Sequence, residues 1–560
     1  MATEHARPMQ AGFDFPPHRT RGAGFVTMGM WFGPDQRPLA GWWTEPDRPS
    51  RAGVVIAPPL GYEYWSSYRS LRVLAESLAQ AGWHALRFDW DGTGNSAGAV
   101  DDRNRVAAWR ASIASAVMAM RKAGILHVAL MGLRLAATLA LLDAAALDVE
   151  AVIACAPVIS GKRWLRELKM LGIIDPEKPG TLTYSGLVID PATAQDLAGI
   201  DIAKTVPPKA KRTLLVTRSE GADFHFINAM RADGRALDVR ACGSMQTMLD
   251  VPAGEDALPK DFVEPIVQWL GMLPASEFGA RPAAVQTAEI PCLRGAVSAT
   301  FATIAGLTAV CSKARDSRPD TVVVFLNSGA DPHIGPGRAW VEYTRELALH
   351  GYACVCADFT AFGESPDGDR APGRPYDPHC LDDTVRLVAE LRCQYRRVVL
   401  AGLCVGAWIA LRAALDIHVD GVFALNPLLW WKPGLPIIIR IPDTVVWRTP
   451  MRKRQHRLKQ LGVWSLLDAF GIRPEASRWL VALSRKRVPV MLSYAEGDDG
   501  LAHLRDCCSR CIERESQRGY LTLEEVAGID HPMFRLWQRP TIVEQMLRFL
   551  ASLPPAEKIR

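Results

Sequence analysis

Two tandem α/β domains, each a mostly parallel, doubly wound sheet with an inserted lid, are the fold that the sequence predicts. Three observations carry the prediction. The chain has 560 residues, the same order of elements runs through it twice, and its strand-like segments are apolar throughout. A single core rarely grows past roughly 250 to 300 residues before a chain divides, so length alone asks for two domains. Apolar strands without polar alternation, separated by helical stretches such as "SYRSLRVLAESLAQAG" and "WVEYTRELALHG", belong to a parallel sheet covered on both faces.

The repeat can be followed element by element. In the first half "AGVVIAPPLG" is a β-branched run that ends in Pro and Gly, and "WHALRFDWDGTGNSAG" is a strand entering a Gly-rich turn. "HVALMGLRLAATLALL" reads as strand, turn and helix, and "VEAVIACAPVISG" and "RTLLVTRSEGAD" supply two more strands. Their counterparts are "TVVVFLNSGADPHIGPG", "YACVCADFTAFGESPDG", "RVVLAGLCVGAWIALRAAL", "VDGVFALNPLLWW" and "VPVMLSYAEGDDG". The Pro- and Ala-rich "PASEFGARPAAVQTAEIP" follows a helix-like segment and marks the boundary, giving domains over 1–275 and 291–560 with a linker over 276–290. Each half inserts about 50 residues before its last such strand, longer than an ordinary loop and therefore read as a lid.

Composition excludes several function classes. A net charge of +5 is far from the basic footprint of a nucleic-acid binder, so no nucleic-acid partner is expected. The N-terminal stretch has no apolar core of signal-peptide length, and no run of about 18 apolar residues occurs, so no integral membrane segment and a cytoplasmic location are expected. Twelve cysteines in such a chain are read as reduced thiols. Cys507, Cys508 and Cys511 contain a C-x-x-C pair without a second pair at zinc-site spacing, so neither metal nor cofactor is expected.

The chemistry concentrates at two turns. Gly402, Cys404 and Gly406 form G-x-C-x-G between a strand and a helix, the arrangement of a nucleophile elbow, where bulk beside the turn would strike neighbouring backbone. A buried structural cysteine is the alternative, and partners in the right order decide for the catalytic reading. Asp498 follows the strand "VPVMLSY", with Asp499 as the neighbouring fallback, and His531 lies in "AGIDHPMF" before the terminal helix. Nucleophile, acid and late histidine is the triad order of the α/β-hydrolases. In these roles His531 takes the thiol proton and later protonates the leaving group, while Asp498 fixes its tautomer. The Val405 N–H supplies one oxyanion donor, and the loop around Asn327 and Ser328 a second, although Asn327 reads equally well as a turn cap. His333 and Arg338 in "DPHIGPGR" either face the substrate or shape the backbone.

The first half lacks this chemistry. Its elbow carries Arg134, whose guanidinium stays protonated and cannot be a nucleophile near neutral pH. Asp223 survives at the acid position, but "ACGSMQTMLDVPAG" offers no histidine. Arg134 either holds a carboxylate or phosphate of a ligand or forms a buried ion pair.

On these residues the chain resembles the α/β-hydrolase family, and more closely the bacterial exosortase A system-associated hydrolases and related bacterial α/β-hydrolase-like proteins. "PPLGYEYWSSYRSLRVLAESLAQAGWHALRFDWDGTGNSAG", "GLRLAATLA" and "APVISGKRWLREL" carry the resemblance in the first half. "LNSGADPHIGPGRAWVEYTRELALHGY", "GLCVGAWIALRAAL", "DGVFALNPLLWWK" and "EGDDG" carry it in the second, so it covers nearly the full length. The resemblance implies an arginine at the first elbow, matching Arg134, and a cysteine at the second, matching Cys404, with an acid and a histidine carried onto Asp498 and His531. It implies hydrolase or acyl-transfer chemistry and names no substrate.

Together these readings predict cleavage or transfer at an ester or thioester through a Cys404 acyl-enzyme. The lid residues Arg452, Lys453, Arg454, Arg457 and Lys459 suit an acyl carrier protein, CoA or another anionic group, or else form a solvated helix face. The alternative function is a non-catalytic scaffold that binds acylated or polysaccharide intermediates.

Overall fold

The computed structural model describes residues 15–48, 50, 52–205, 207, 210–221, 223–234, 236–251, 259–273, 285–370, 374–429 and 475–554. The second lid with its basic run, and most of the expected linker, lie outside these residues. The chain forms two compact units: Met1–Pro319 with Ala330–Gly373 and Met533–Arg539, and Asp320–Gly329 with Arg374–Pro532 and Pro540–Arg560.

In the first half the strands are β1 (Thr20–Gly22), β2 (Phe25–Phe32), β3 (Leu39–Pro46), β4 (Ala52–Ala57), β5 (His84–Phe88), β6 (His127–Leu133) and β7 (Ala151–Cys155). An insert follows with two helices and the short β8 (Ile173–Ile174), β9 (Leu182–Tyr184) and β10 (Leu187–Ile189), which form a small sheet of their own. β11 (Thr213–Thr217) and β12 (Leu237–Ala241) complete a nine-stranded sheet in the order β1-β2-β3-β5-β4-β6-β7-β11-β12. Its central strand β4 is buried on both faces because every residue in it is apolar: Val54 and Ile56 join one core cluster, Val55 and Ala57 the other.

In the second half the strands are β13 (Thr287–Cys292), β14 (Gly295–Ile304), β15 (Leu307–Ala314), β16 (Thr321–Phe325), β17 (Ala353–Ala357), β18 (Arg397–Leu403), β19 (Gly421–Leu425), β20 (Val490–Ala495) and β21 (Leu521–Val526). Within the first unit β13, β14, β15 and β17 pair antiparallel in that order, as β1, β2, β3 and β5 do. Within the second unit β16, β18, β19, β20 and β21 pair parallel in that order, as β4, β6, β7, β11 and β12 do. The protein is thus two tandem α/β-hydrolase-like domains, each built on mostly parallel strands wound with helices.

Inside the first unit, the turns after β5 and β17 are built alike. The Asp89 carboxylate accepts a hydrogen bond from the Asn95 N–H at 2.7 Å, and that of Asp358 accepts one from the Glu364 N–H at 2.9 Å. Each carboxylate fills the space a side chain would need at the intervening glycine: a Cβ on Gly94 would lie 2.1 Å from Asp89, and one on Gly363 2.3 Å from Asp358. Ser96 Oγ and Ser365 Oγ each donate 2.6 Å back to the aspartate's carbonyl.

Each turn is also held by the other repeat. Arg345 donates to the carbonyls of Asn95 and Ser96 at 2.6 and 3.1 Å, while Arg72 donates to those of Gly363 and Ser365 at 3.1 and 2.6 Å. Arg87 binds both Glu364 oxygens, at 2.8 and 2.7 Å, and His333 Nε2 lies 2.9 Å from the Asn95 amide. Around this network Trp31, Trp42, Ile290, Phe301 and Val310 form a shared apolar cluster.

Burial resists the charge on Glu364, but the Arg87 guanidinium outweighs it and holds the carboxyl below its ordinary range. This stabilisation is present above the ordinary carboxylate pKa and is lost as pH falls through the depressed value. Arg87→Ala leaves the Glu364 charge buried and alone, and urea unfolding followed by tryptophan fluorescence should show about 3–5 kcal/mol less stability. The double substitution Arg87→Met with Glu364→Leu should recover most of that loss.

Candidate active site

β18 ends at Leu403, the chain reverses at Cys404, and a helix begins at Val405 and runs to Ala414. Cys404 has φ 54° and ψ −105°, a positive-φ conformation that L-residues rarely adopt. Small neighbours allow it: a Cβ on Gly402 would meet the Gly406 backbone at 2.3 Å, and one on Gly406 would meet the Asn327 carbonyl at 2.6 Å. The loop after β16, with Asn327 and Ser328 both buried, therefore runs directly beside the start of this helix. The Val405 N–H lies in the helix's first turn, where donors have no partner within the helix.

Asp498 and His531 meet. His531 Nδ1 is 2.6 Å from Asp498 Oδ2, and the other carboxylate oxygen accepts from the Gly500 N–H at 2.7 Å, capping the helix Asp499–Gln517. Asp499, the fallback, is instead the first residue of that helix. His531 Nε2 is buried with no hydrogen-bond partner among the described residues, and the imidazole as a whole lies in the field of Cys404. Burial works against the imidazolium, but the Cys404 charge and the Asp498 hydrogen bond more than compensate and raise its pKa to about 10.

Two contributors escaped the sequence reading. Asn426, fully buried after β19, accepts from the Ala495 N–H at 2.7 Å and donates to the His531 carbonyl at 3.0 Å, tying the acid loop to the histidine loop. Its counterpart in the first half is Ala156, so only the half with a thiol has this tie. Tyr376, 2% exposed, stacks edge-on against Trp408 with centroids 5.4 Å apart, and burial, then the Cys404 charge, push the ionisation of its phenol upward. Nothing in "RPYDPHC" distinguishes this tyrosine, because its ring contact joins segments far apart in the chain.

The first elbow repeats the backbone and changes the chemistry. Arg134 has φ 60° and ψ −122°, and its N–H donates 2.9 Å to the last carbonyl of β7, as Cys404 does to the last carbonyl of β19. Its guanidinium reaches Glu63 at 2.6 Å and the Ala156 carbonyl at 3.1 Å, and Arg218 shares Glu63 at 3.4 Å. The geometry thus gives Arg134 an internal carboxylate, the ion-pair alternative. Asp223, near Arg134 and Arg218, begins a helix. His333 and Arg338 are also engaged internally within the first unit. His333 is fully buried and 2.7 Å from Asp358, while Arg338 donates to the carbonyls of Gly92, Gly94, Ser96 and Gly98. Of the two alternatives for these residues, shaping the backbone is the one the contacts favour.

Among the described residues no group of three His, Cys, Asp or Glu side chains is placed to hold a metal ion, and no helix is long and apolar enough to cross a membrane. Residues 323–549 match the profile of the alpha/beta hydrolase family. The second half carries an alpha/beta hydrolase domain. It is a hydrolase-type enzyme domain, and Cys404, Asp498 and His531 all fall within the matched residues.

No curated protein matches the chain. Among solved structures it is similar to Est1E from Butyrivibrio proteoclasticus with ferulic acid bound, at 19% identity over 38% of this chain and 88% of that one, TM-score 0.31. It is also similar to the esterase Pf2001 of Pyrococcus furiosus, at 15% identity over 48% and 92%, TM-score 0.30. A thioesterase domain from the curacin biosynthetic pathway matches at 16% over 45% and 100%, TM-score 0.28.

Because the folded pKa of His531 exceeds its ordinary 6.5, its ion-pair stabilisation is complete below that value and is lost as pH rises through about 10. Carbon-13 histidine NMR should place the His531 midpoint near that upper value. In Cys404→Ala the principal raising charge is gone, and the midpoint should fall by on the order of 1–3 units.

Proposed function

We propose that the second half cleaves esters or thioesters through an acyl-enzyme on Cys404. The observation that carries this reading is the His531–Asp498 pair at 2.6 Å, with the free imidazole nitrogen buried beside a cysteine on a strained elbow. His531 takes the proton of the Cys404 thiol as the sulfur becomes the nucleophile. Sγ attacks the substrate carbonyl carbon, a C–S bond forms, and the carbonyl electron pair moves onto oxygen. In this mechanism the Val405 N–H and a donor from the loop at Asn327 and Ser328 receive that oxyanion. On collapse the bond to the alcohol or thiol breaks, and His531 gives its proton to that leaving group. Water, deprotonated by His531, then attacks the thioester, and Cys404 departs as thiolate while the acid is released.

The finer proposal is that the acyl group arrives on a phosphopantetheine carrier or CoA in the cytoplasm, and that the protein shares the exosortase-associated role its motifs resemble. The Glu63-paired Arg134 supports a second reading for the first half alone: a domain that has kept the fold for structure or recognition and has no chemistry of its own.

Intact-mass analysis after incubation with a panel of acyl esters and acyl thioesters should find an adduct on Cys404, absent in Cys404→Ala. His531→Ala should lower turnover by about 10²–10⁴-fold, whereas Asp499→Asn should leave it near the wild-type rate. Failure to form an adduct with any of the panel, together with iodoacetamide labelling of Cys404 no faster than other accessible thiols, would favour the scaffold function.

A further inference from the structure

The first helix of the first-half insert ends on apolar residues that the core does not take. In the helix Gly161–Leu171, Trp164, Leu165 and Leu168 recur at helical spacing and pack into the apolar cluster of the first half. That face anchors the helix. The other face carries Lys162, Arg163, Arg166 and Lys169, all exposed, and Glu167 is the acid among them, 3.2 Å from Arg163. At the C-terminal end Met170 and Leu171 are 85% and 64% exposed, and after Gly172 the strand β8 adds Ile173 and Ile174 at 42% and 51%. Apolar residues scattered over a surface need no explanation, but four within five positions make a patch.

The backbone beneath holds this patch in shape. The Gly172 N–H donates to the Leu168 carbonyl at 2.8 Å and closes the helix, and β8 pairs antiparallel with β9 at the edge of the small sheet. The Thr183 hydroxyl donates to the Ile173 carbonyl at 3.2 Å. Past Ile174 the chain turns on Asp175, whose buried carboxylate accepts from the Glu177 and Lys178 N–H groups at 2.9 and 3.2 Å. A fixed scaffold therefore presents the four apolar side chains to solvent.

We infer that this tip rests on an anionic phospholipid surface, with Met170, Leu171, Ile173 and Ile174 entering the acyl boundary and Lys162, Arg163, Arg166 and Lys169 lying over the headgroups. Two observations favour a lipid surface over a groove on a partner protein. A side chain as exposed as Met170 stands proud of its neighbours, and such a knob suits a fluid layer that closes around it. The cations also lie beside the apolar residues on one helix, the combination by which an interfacial helix binds through apolar burial and attraction to anionic headgroups. Binding of this kind lies on the bilayer and needs no spanning segment. It is independent of the chemistry read at Cys404.

The test is co-sedimentation of the full chain with vesicles of phosphatidylcholine, alone and in a roughly 3:1 mixture with phosphatidylserine. The chain should bind the mixed vesicles far better than the neutral ones, and salt at about 1 M, where the screening length is about 3 Å, should release it. Arg166→Gln with Lys169→Gln removes two charges and should weaken binding by about 30-fold. Leu171→Ser with Ile174→Ser should weaken it by about tenfold or more. All four positions are exposed, so both double variants should keep the wild-type thermal midpoint, and if one folds poorly the other decides.

A wild-type chain that stays in the supernatant with mixed vesicles would overturn the inference. Equal binding to the two kinds of vesicle would do the same, as would wild-type binding retained by either folded variant, because another surface would then carry it. Self-association seen by sedimentation velocity and abolished by Leu171→Ser with Ile174→Ser, without vesicle binding, would replace the lipid surface by a second copy of the chain.

Discussion

A residue bearing a side chain, held at positive φ between a strand end and a helix start, is the constraint on which each half is organised. At Cys404 this geometry lifts the thiol out of the strand line and aims the first turn of the helix at the same point. Such backbone costs of order 1–3 kcal/mol and persists only where its surroundings leave no alternative. Here the surroundings are parallel strands on both sides of β18, glycine on both sides of the cysteine, and the Asn327 carbonyl closing the remaining space. The side chain at the apex is then free to vary without disturbing the turn, and the first half shows the variation carried out with Arg134.

The acid and the histidine depend on a different kind of support. Asp498 is oriented by capping a helix, and His531 by the Asn426 amide that also grips the end of β20. Polar groups placed this way keep a fixed geometry because each hydrogen bond restrains the group that makes the next. That Ala156 replaces this asparagine in the first half is consistent with the loss of the histidine there: with no imidazole to hold, the amide has no task.

Much of this could be read in the sequence, for definite reasons. Fully buried parallel strands are apolar at every position, so "VVIA" and "VVVF" announce themselves, and an elbow needs small residues at fixed offsets, so "GLCVG" does too. Chain order separated Asp498 and His531 from other acids and histidines. What stayed hidden depends on contacts between distant segments. His333 and Arg338 looked like loop residues near an oxyanion site, yet their partners are Asp358 and, some 240 residues away, the carbonyls of the Gly92–Gly98 turn. Arg134 gave no sign of Glu63, and Tyr376 sits in a stretch whose pattern is that of any proline-bounded loop. Local patterning records what a segment buries; it does not record what a side chain reaches across the fold.

The crossed arginines, Arg72 holding the turn after β17 and Arg345 the turn after β5, resemble the self-complementary contacts by which identical subunits join, where each copy supplies the same grip to the other. In a dimer of identical chains, any change at the elbow would appear in both copies at once. Joining the copies into one polypeptide removes that restriction. One elbow can carry an ion pair where the other carries a thiol while the grip between the repeats is kept, and the repeat with the ion pair remains the surface against which the other repeat's turn is held in shape.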